Sequence, residues 1–409
     1  MKHVVLWRDT RGAVSAAARV NAASPGAAPA AKASPSAAAA GAPATPSAVE
    51  IAQLTVAEAK DIARDPNIAA IAPAMPMRLI QPFEFAGAAD ALAGGVTWGV
   101  KAVGADTSPF TGDGIVVAVL DTGIDPNHPA FAGVQLVRRN FTTSSDDDDH
   151  GHGTHCAGTI FGRDVQNTRI GVARGVTKAL IGKVLGEGGG GSDTVANAIK
   201  WAADNGANVI SMSLGIDFPG FVQFLIQSEG FRADVATSIA LEAYRANINL
   251  FEGLADFLNA NSFITNQATV VVAAAGNESG RSQAPPFEIA VSPPAIARGV
   301  VSVAALQQGA AGFGVADFSN TGARVSGPGV GVLSARMGGG LVAMSGTSMA
   351  TPHVAGVAAL WAQKLRRPPN QLTAIRLLDE LVGSATQTGF SGSFDPSDIG
   401  GGIVRAPQS

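Results

Sequence analysis

The chain of 409 residues reads as an α/β protein with a mostly parallel central sheet flanked by helices, preceded by a small α+β domain. Three observations lead there. From residue 114 on, five runs rich in Val and Ile recur: IVVAVL at 115–120, ALIGKVL at 179–185, NVISMSL at 208–214, TVVVAAAG at 269–276 and GVVSVAAL at 299–306. They are apolar on both faces, as strands of a doubly covered parallel sheet must be. Helical stretches lie between and after them, an alternation that puts ligands at the carboxyl ends of the strands. Before residue 114 the rhythm is different, and a separate unit is expected.

That unit occupies residues 1–82. VVLW (4–7) and VEIAQL (49–54) read as strands. Residues 22–48 contain only Ala, Pro, Ser, Gly and Thr apart from Lys32, a flexible insert with little to build a core from. TVAEAKDIARDP (55–66) is a helix opened by Thr55, with Glu58 at capping-box spacing, and NIAAIAPAMPMRLI (67–80) is strand-like. Residues 83–97 read as a linker, and 98–409 as the main domain. There, SDTVANAIKWAADNG (192–206) is a helix with a Ser192 cap, closing at Gly206. TSMATPHVAGVAALWAQKL (347–365) and QLTAIRLLDELV (371–382) are two more. A segment at about 217–267, containing RADVATSIALEAYRANINLFEGLADFLNAN (232–261), is a helical insertion longer than a crossover needs. An enlarged structural crossover is the plain reading, and a lid or partner-docking element the alternative.

Hydrophobic residues make up 46% of the chain and charged ones 15%, with a net charge of -4. A sizeable core is affordable, and without clustered Lys and Arg no nucleic acid is expected as a partner. No apolar run reaches the roughly 18–20 residues of a membrane span. The single cysteine, Cys156, rules out an internal disulfide. MKHVVLWRDTRG offers too short an apolar stretch for a signal peptide, so the expected location is cytoplasmic, with secretion by another route or from a longer precursor as the alternative.

Three reactive residues sit where a strand ends or a helix begins: Asp121 in VAVLDTGIDPNHP, His152 in GHGTHCAGT and Ser348 in SGTSMATPHVAG. Singly, each has a plain reading: a turn after a strand, one histidine among three, a helix cap. DDDDHGHGTHCAGT (146–159) gathers four aspartates, His150, His152, His155 and Cys156, and invites a metal cage or a cysteine nucleophile. Either would leave Asp121, Asn277 and Ser348 unexplained. Jointly, the three supply nucleophile, general base and an orienting carboxylate.

DTGID, HGTHCAGT, SLG, AAAGN and GTSMATPHVAG, in this order, resemble the signatures of the subtilisin-like serine proteases (subtilases), from about Trp98 to Val382. The resemblance implies a subtilisin-like fold and a serine endopeptidase acting through an acyl-enzyme on protein or peptide substrates. It makes Asp121 the orienting carboxylate, His152 the base, Ser348 the nucleophile and Asn277 the side-chain donor of the oxyanion hole, beside the Ser348 N–H. Ser213, Leu214 and Gly215 would form one wall of the S1 pocket and pair with substrate backbone. LGEGGGGSD (185–193), represented by Gly188 and Gly190, would form the opposing edge. The apolar stretch 278–295 suggests a broad or apolar-leaning P1 preference, whereas Glu278 would favour a basic side chain.

The N-terminal unit resembles the family's βαββαβ inhibitor-like propeptide. That implies a zymogen held by its own N-terminal propeptide as intramolecular inhibitor, with autocleavage in 83–97. No cofactor is needed for the chemistry and no metal ligands are assigned. The usual calcium site is expected to be absent, because Ala130 stands where the family has an aspartate and QNTRIGVAR (166–174) is short; structural calcium elsewhere stays open. His155, His353 and Cys156 are expected to pack, the last beneath the catalytic histidine, and His128 to serve a turn. His150 and Asp146 to Asp149 are expected in a solvated loop, with Asp148 or Asp149 biasing nearby subsites toward basic residues.

Overall fold

Alternation along the first strand organises the N-terminal unit. The computed structural model describes residues 1–8, 49–84, 95–265, 267–367, 372–392 and 394–409. The predicted insert at 22–48 and residues 85–94 of the linker lie outside the described residues. Lys2–Trp7 is the middle strand of an antiparallel sheet in the order Val49–Gln53, Lys2–Trp7, Ile68–Pro73. Side chains of a strand point alternately to opposite faces. Val5 and Trp7 meet Ala52, Leu54, Ile62 and Ile68 under the helix Val56–Ile62, whose Thr55–Glu58 capping box forms as expected. Val4 and Leu6 face the other way, into a core shared with Leu250, Phe251 and Leu254.

Those three residues belong to the helical insertion, which consists of Phe218–Gln227 and the 33-residue helix Ala233–Thr265. The long helix lies on the inner face of the N-terminal sheet. At Gly253 a Cβ would come within 2.8 Å of Leu6 Cδ2, and Asn247 Nδ2 donates to the Pro73 carbonyl at 2.9 Å. The insertion is therefore a docking surface for the N-terminal unit as well as a crossover.

The main sheet has eight strands among the described residues. Its path runs Gly312–Val315, Val300–Gly309, Val270–Ala274, Val209–Met212, Val116–Asp121, Lys178–Lys183, Gln135–Asn140, with Val325–Pro328 also on Val300–Gly309. All pairs are parallel except Gly312–Val315 with its neighbour. The five predicted runs are its central strands. NVISMSL, however, is not one strand: it leaves the sheet at Ser213, and Leu214–Ile216 joins a separate ribbon with Pro76–Leu79 and Gly190–Gly191. Likewise 67–80 divides into Ile68–Pro73 and Pro76–Leu79. NVISMSL is apolar on both sides of Ser213, so periodicity gives no sign of its break, while Pro73 and Pro76 flank the other.

Two helices carry the site. His152–Phe161 and Thr347–Leu365 pack on one another in the core. Gly153 permits this docking at the Asp121 turn, where a Cβ would fall 2.2 Å from the Gly123 carbonyl oxygen. Ser192–Asp204 corrects one expectation. Its N-cap is Gly191, and the Ser192 hydroxyl accepts instead from the Met75 N–H at 3.0 Å.

Candidate active site

Asp121 ends its strand at the carboxyl edge of the sheet, and its Oδ1 accepts from the Thr122 N–H and from His152 Nδ1, both at 2.7 Å. His152 is the first residue of its helix, after Gly151 in the left-handed region at φ 89°. Both side chains are buried. With Nδ1 given to the carboxylate, Nε2 is the ring nitrogen left to move a proton; it has no hydrogen-bond partner among the described residues. Burial alone would lower the His152 pKa, but the Asp121 carboxylate, with the neighbouring Cys156 sulfur adding to it, overrides burial and holds the imidazole well above its ordinary value.

The aspartate run is exposed, as expected of a solvated loop, except at Asp148. Asp148 is buried and accepts from Thr122 Oγ1 (2.8 Å), the Gly151 N–H (2.9 Å), the Thr154 N–H (2.9 Å) and Thr154 Oγ1 (2.6 Å). Burial pushes its carboxyl up, yet these bonds outweigh burial and hold it below the usual range. It ties the Asp121 turn to the start of the His152 helix, so it faces no substrate subsite. Asp149 pairs with the buried Lys183 at 2.9 Å, and Asp147 with Arg138. Asp146, Asp147, Asp149 and His150 all keep exposed side chains and fit the solvated expectation.

Ser348 lies in the first turn of its helix, fully buried. Pro352, four residues on, has no N–H to give the Ser348 carbonyl. Ser213 Oγ (3.3 Å) and Cys156 Sγ (3.4 Å) donate to it instead. Cys156 therefore packs beneath the site, with Sγ 3.8 Å from His152 Nδ1. Burial pushes its thiol up, which keeps it protonated and unsuited to attack. Asp121, His152 and Cys156 form the one grouping of three metal-ligand side chains among the described residues. A chelate there would have to break the Asp121–His152 bond and deprotonate the thiol, so these residues fit proton transfer better than a cation.

Asn277 follows the strand Val270–Ala274. Its Oδ1 accepts from Thr347 N and Thr347 Oγ1, both at 2.8 Å, which fixes the amide so that Nδ2 faces the cleft. There Nδ2 donates to the Gln81 carbonyl at 2.8 Å, while Ser348 Oγ donates to the Ile80 carbonyl at 2.9 Å. The chain's own segment 76–84 thus runs through the site. Pro76–Leu79 is a strand between two others: Leu79, Arg78 and Met77 pair with Leu214, Gly215 and Ile216, and Met77 and Pro76 with Gly190 and Gly191. The Ile80 N–H reaches the Ser213 carbonyl at 3.3 Å. Beyond, Phe83–Glu84 pairs with Leu341–Ser345.

Ser213, Leu214, Gly215 and Gly190 meet the strand directly, whereas Gly188 borders the hollow beside Pro76 without pairing. It sits on the turn beside the Gly186–Gly189 bridge, and a Cβ there would meet nothing within 4 Å. Gly191 and Ile216 line the strand instead, and Thr347 orients Asn277. Gly191 and Thr347 lie inside quoted motifs and Ile216 just after one, but spacing alone does not say which glycine of a run turns and which pairs.

His155, His353 and His128 are structural. His155 Nε2 meets the Val332 carbonyl at 3.0 Å, and burial and the neighbouring His152 charge lower its pKa to about 3. His353 Nδ1 meets the Met349 carbonyl, and burial lowers its pKa to about 4. His128 caps a short turn through Ala130 N. Ala130 is buried in the apolar core beside Phe131 and brings no side-chain oxygen, and its carbonyl accepts from the Arg163 N–H at 2.8 Å. Among the described residues no helix is long and apolar enough to cross a membrane.

A family model described as Subtilase family matches residues 112–395. The chain is 34% identical over 367 residues to a thermostable alkaline protease of Halalkalibacterium halodurans, covering 88% of this chain and 82% of that one. It is 35% identical over 283 residues to thermitase of Thermoactinomyces vulgaris, covering 67% and 85%. The crystal structure of fervidolysin from Fervidobacterium pennivorans, a keratinolytic enzyme related to subtilisin, superposes with a TM-score of 0.64 at 24% identity. That match covers 99% of this chain and 60% of the fervidolysin chain.

Proposed function

The chain belongs to the subtilase family and is a serine endopeptidase, and from that premise we propose which residues carry the reaction and how they are held in check. The observation that carries the reading is a peptide carbonyl, that of Ile80, on Ser348 Oγ, in a strand paired on both sides and beside the Asp121–His152 pair. Ser348 Oγ attacks the carbonyl carbon as His152 Nε2 takes its proton, and Asp121 holds the imidazolium. Asn277 Nδ2 and the Ser348 N–H receive the oxyanion. The C–N bond then breaks as Nε2–H protonates the leaving amine, and water repeats the sequence to free Ser348. No step needs a cofactor.

The N-terminal unit acts as an intramolecular inhibitor, and the chain is a zymogen. In the covered state two neighbouring carbonyls share the site, Ile80 on the nucleophile and Gln81 on the oxyanion donor. Neither has both the donor and the attacking oxygen, so the strand is held without being cut. Release needs one carbonyl to take both positions; the bonds of the Ile80 N–H to Ser213 and of its carbonyl to Ser348 support Ile80 as that residue and a cut just after it, upstream of 83–97. Ile80 is buried, and its Cγ1 lies 3.8 Å from where a Cβ on Gly215 would sit, in keeping with an apolar-leaning P1 preference. For location, a built-in inhibitor favours secretion over a cytoplasmic life, because it protects the cell that makes the enzyme; activity confined to the lysate of the producing cell would reverse that.

A fluorophosphonate probe tests the chemistry. Labelling that is lost in Ser348→Ala and indifferent to EDTA is expected; EDTA-sensitive hydrolysis that survives Ser348→Ala would overturn it. Mass spectrometry tests the zymogen, with a new terminus at 80–82 that appears in the wild type and not in Ser348→Ala.

A further inference from the structure

Arg78, two residues before Ile80, is the charged side chain of the strand in the cleft. Its guanidinium lies between two carboxylates, Nη2 to Glu278 Oε1 at 3.2 Å and Nη1 to Asp217 Oδ1 at 3.4 Å. Both carboxylates are held by the main domain without help from Arg78. Glu278 Oε2 accepts from Asn320 Nδ2 at 2.7 Å, and Asp217 Oδ1 caps its helix by accepting from the Gly220 N–H at 3.1 Å. They come from different parts of the cleft: Glu278 follows the oxyanion donor Asn277, and Asp217 begins the helical insertion just after the strand that pairs with the peptide. The Asp217 N–H also takes the Pro76 carbonyl at 2.9 Å, which ties this carboxylate to the backbone of the bound strand.

We propose that Asp217 and Glu278 form a subsite for a basic side chain at the third residue before the scissile bond, so that the enzyme prefers peptides with Arg or Lys there. This deepens the protease reading and rests on it. Backbone pairing through Gly190, Gly191 and Gly215 is indifferent to sequence, and the position of Ile80 selects for apolar bulk. The acid pair adds a charge requirement two residues upstream. Glu278 thus reads a basic side chain, but not the one at P1. Half-exposed ion pairs contribute little singly, and two together should give a preference of about three- to tenfold.

The test uses the processed wild-type enzyme, with fluorophosphonate labelling to report a competent site. Peptide p-nitroanilides Met-Xaa-Leu-Ile are compared with Xaa as Arg, norleucine or Glu. In labelled enzyme, kcat/KM should be about three- to tenfold higher for Arg than for norleucine, and lowest for Glu. The preference should vanish in Asp217→Asn/Glu278→Gln. Equal rates for Arg and norleucine, or a preference that persists in the double variant, overturn the subsite. Absence of both labelling and hydrolysis is a failure of the protease reading, and a second arm then decides the subsite. In the full chain carrying Ser348→Ala, added thermolysin should cut segment 76–84 several-fold faster once Asp217→Asn/Glu278→Gln is introduced; an unchanged rate overturns it.

Discussion

Pro352 stands one helical turn after Ser348 and leaves the nucleophile's own carbonyl to side chains from two other elements, Ser213 Oγ at 3.3 Å and Cys156 Sγ at 3.4 Å. The Ser348 backbone is therefore located by the wall of the cleft and by the helix beneath His152, as well as by its own helix. A buried carbonyl left unpaired costs about 1–3 kcal/mol, so losing both donors should be felt at the nucleophile. Ser213→Ala/Cys156→Ala should lower kcat by roughly ten- to a hundredfold with little change in KM, while Cys156→Ser, which keeps a donor, stays near wild type. The same thiol lies beneath His152, so an organomercurial should inhibit the wild type and spare Cys156→Ser. Inhibition that persists in the variant would place the mercurial elsewhere.

Asn277 and Thr347 make a second pair. Removing the side-chain donor, Asn277→Ala, should cost about 100- to 1000-fold in kcat, a magnitude known from subtilisin itself, to which this chain is related. Thr347→Val removes the Oγ1 bond to Asn277 Oδ1 and should cost less, roughly tenfold, because the Thr347 N–H still holds the amide. An effect on KM alone for either variant would argue against a role in the transition state.

Much of this was legible from residue order. Asp121, His152, Asn277 and Ser348 each follow a strand or open a helix, and the five apolar runs are the central strands of the sheet. What escaped depends on contacts between distant segments. Ser192 looks like a cap, yet its hydroxyl serves Met75, 117 positions away in sequence. Leu214–Ile216 looks like the tail of a buried strand, yet it pairs with 77–79. Four consecutive aspartates suggest a solvated loop, and nothing local reveals that Asp148 turns inward to Thr122 and Thr154 while Asp149 meets Lys183. Local patterning reports which face is apolar, but not which partner covers it.

The activity profile should be alkaline-shifted. His152 acts as a base only when neutral, and the Asp121 carboxylate holds its pKa well above 6.5, so kcat/KM should rise with pH through a limb above that value. Asp121→Asn removes the carboxylate while burial remains, so the limb should move to lower pH even as the rate falls by about 10⁴-fold. A limb that stays in place in Asp121→Asn would show that another group governs it.

Stability should fall in acid for a different reason. His353 and His155 have folded pKa values of about 4 and about 3, below the 6.5 of the unfolded chain. Depressed groups give stability that is present above the unfolded pKa and lost as pH falls toward the folded one. For His353 the loss between pH 6.5 and about 4 is on the order of 3 kcal/mol. Thermal unfolding of the Ser348→Ala chain, which cannot digest itself, should show a midpoint that drops across this window. The drop should be smaller in His353→Gln, and an equal drop in both would assign the acid sensitivity to other groups.

Asp148 gives the sharpest separation between a structural and a substrate-facing carboxylate. Its two oxygens gather Thr122 Oγ1, the Gly151 N–H and both donors of Thr154, which joins the turn carrying Asp121 to the helix that begins with His152. Asp148→Ala leaves these buried donors unpaired and should destabilise the Ser348→Ala chain by about 3–5 kcal/mol, with Asp148→Asn milder because it keeps one acceptor oxygen. In the active chain either change should lower kcat, since both partners of the Asp121–His152 bond lose their anchor, and should leave any preference for basic residues intact. An Asp148→Ala protein that unfolds at the wild-type temperature but loses that preference would return this carboxylate to the substrate-facing role that the bare sequence suggested.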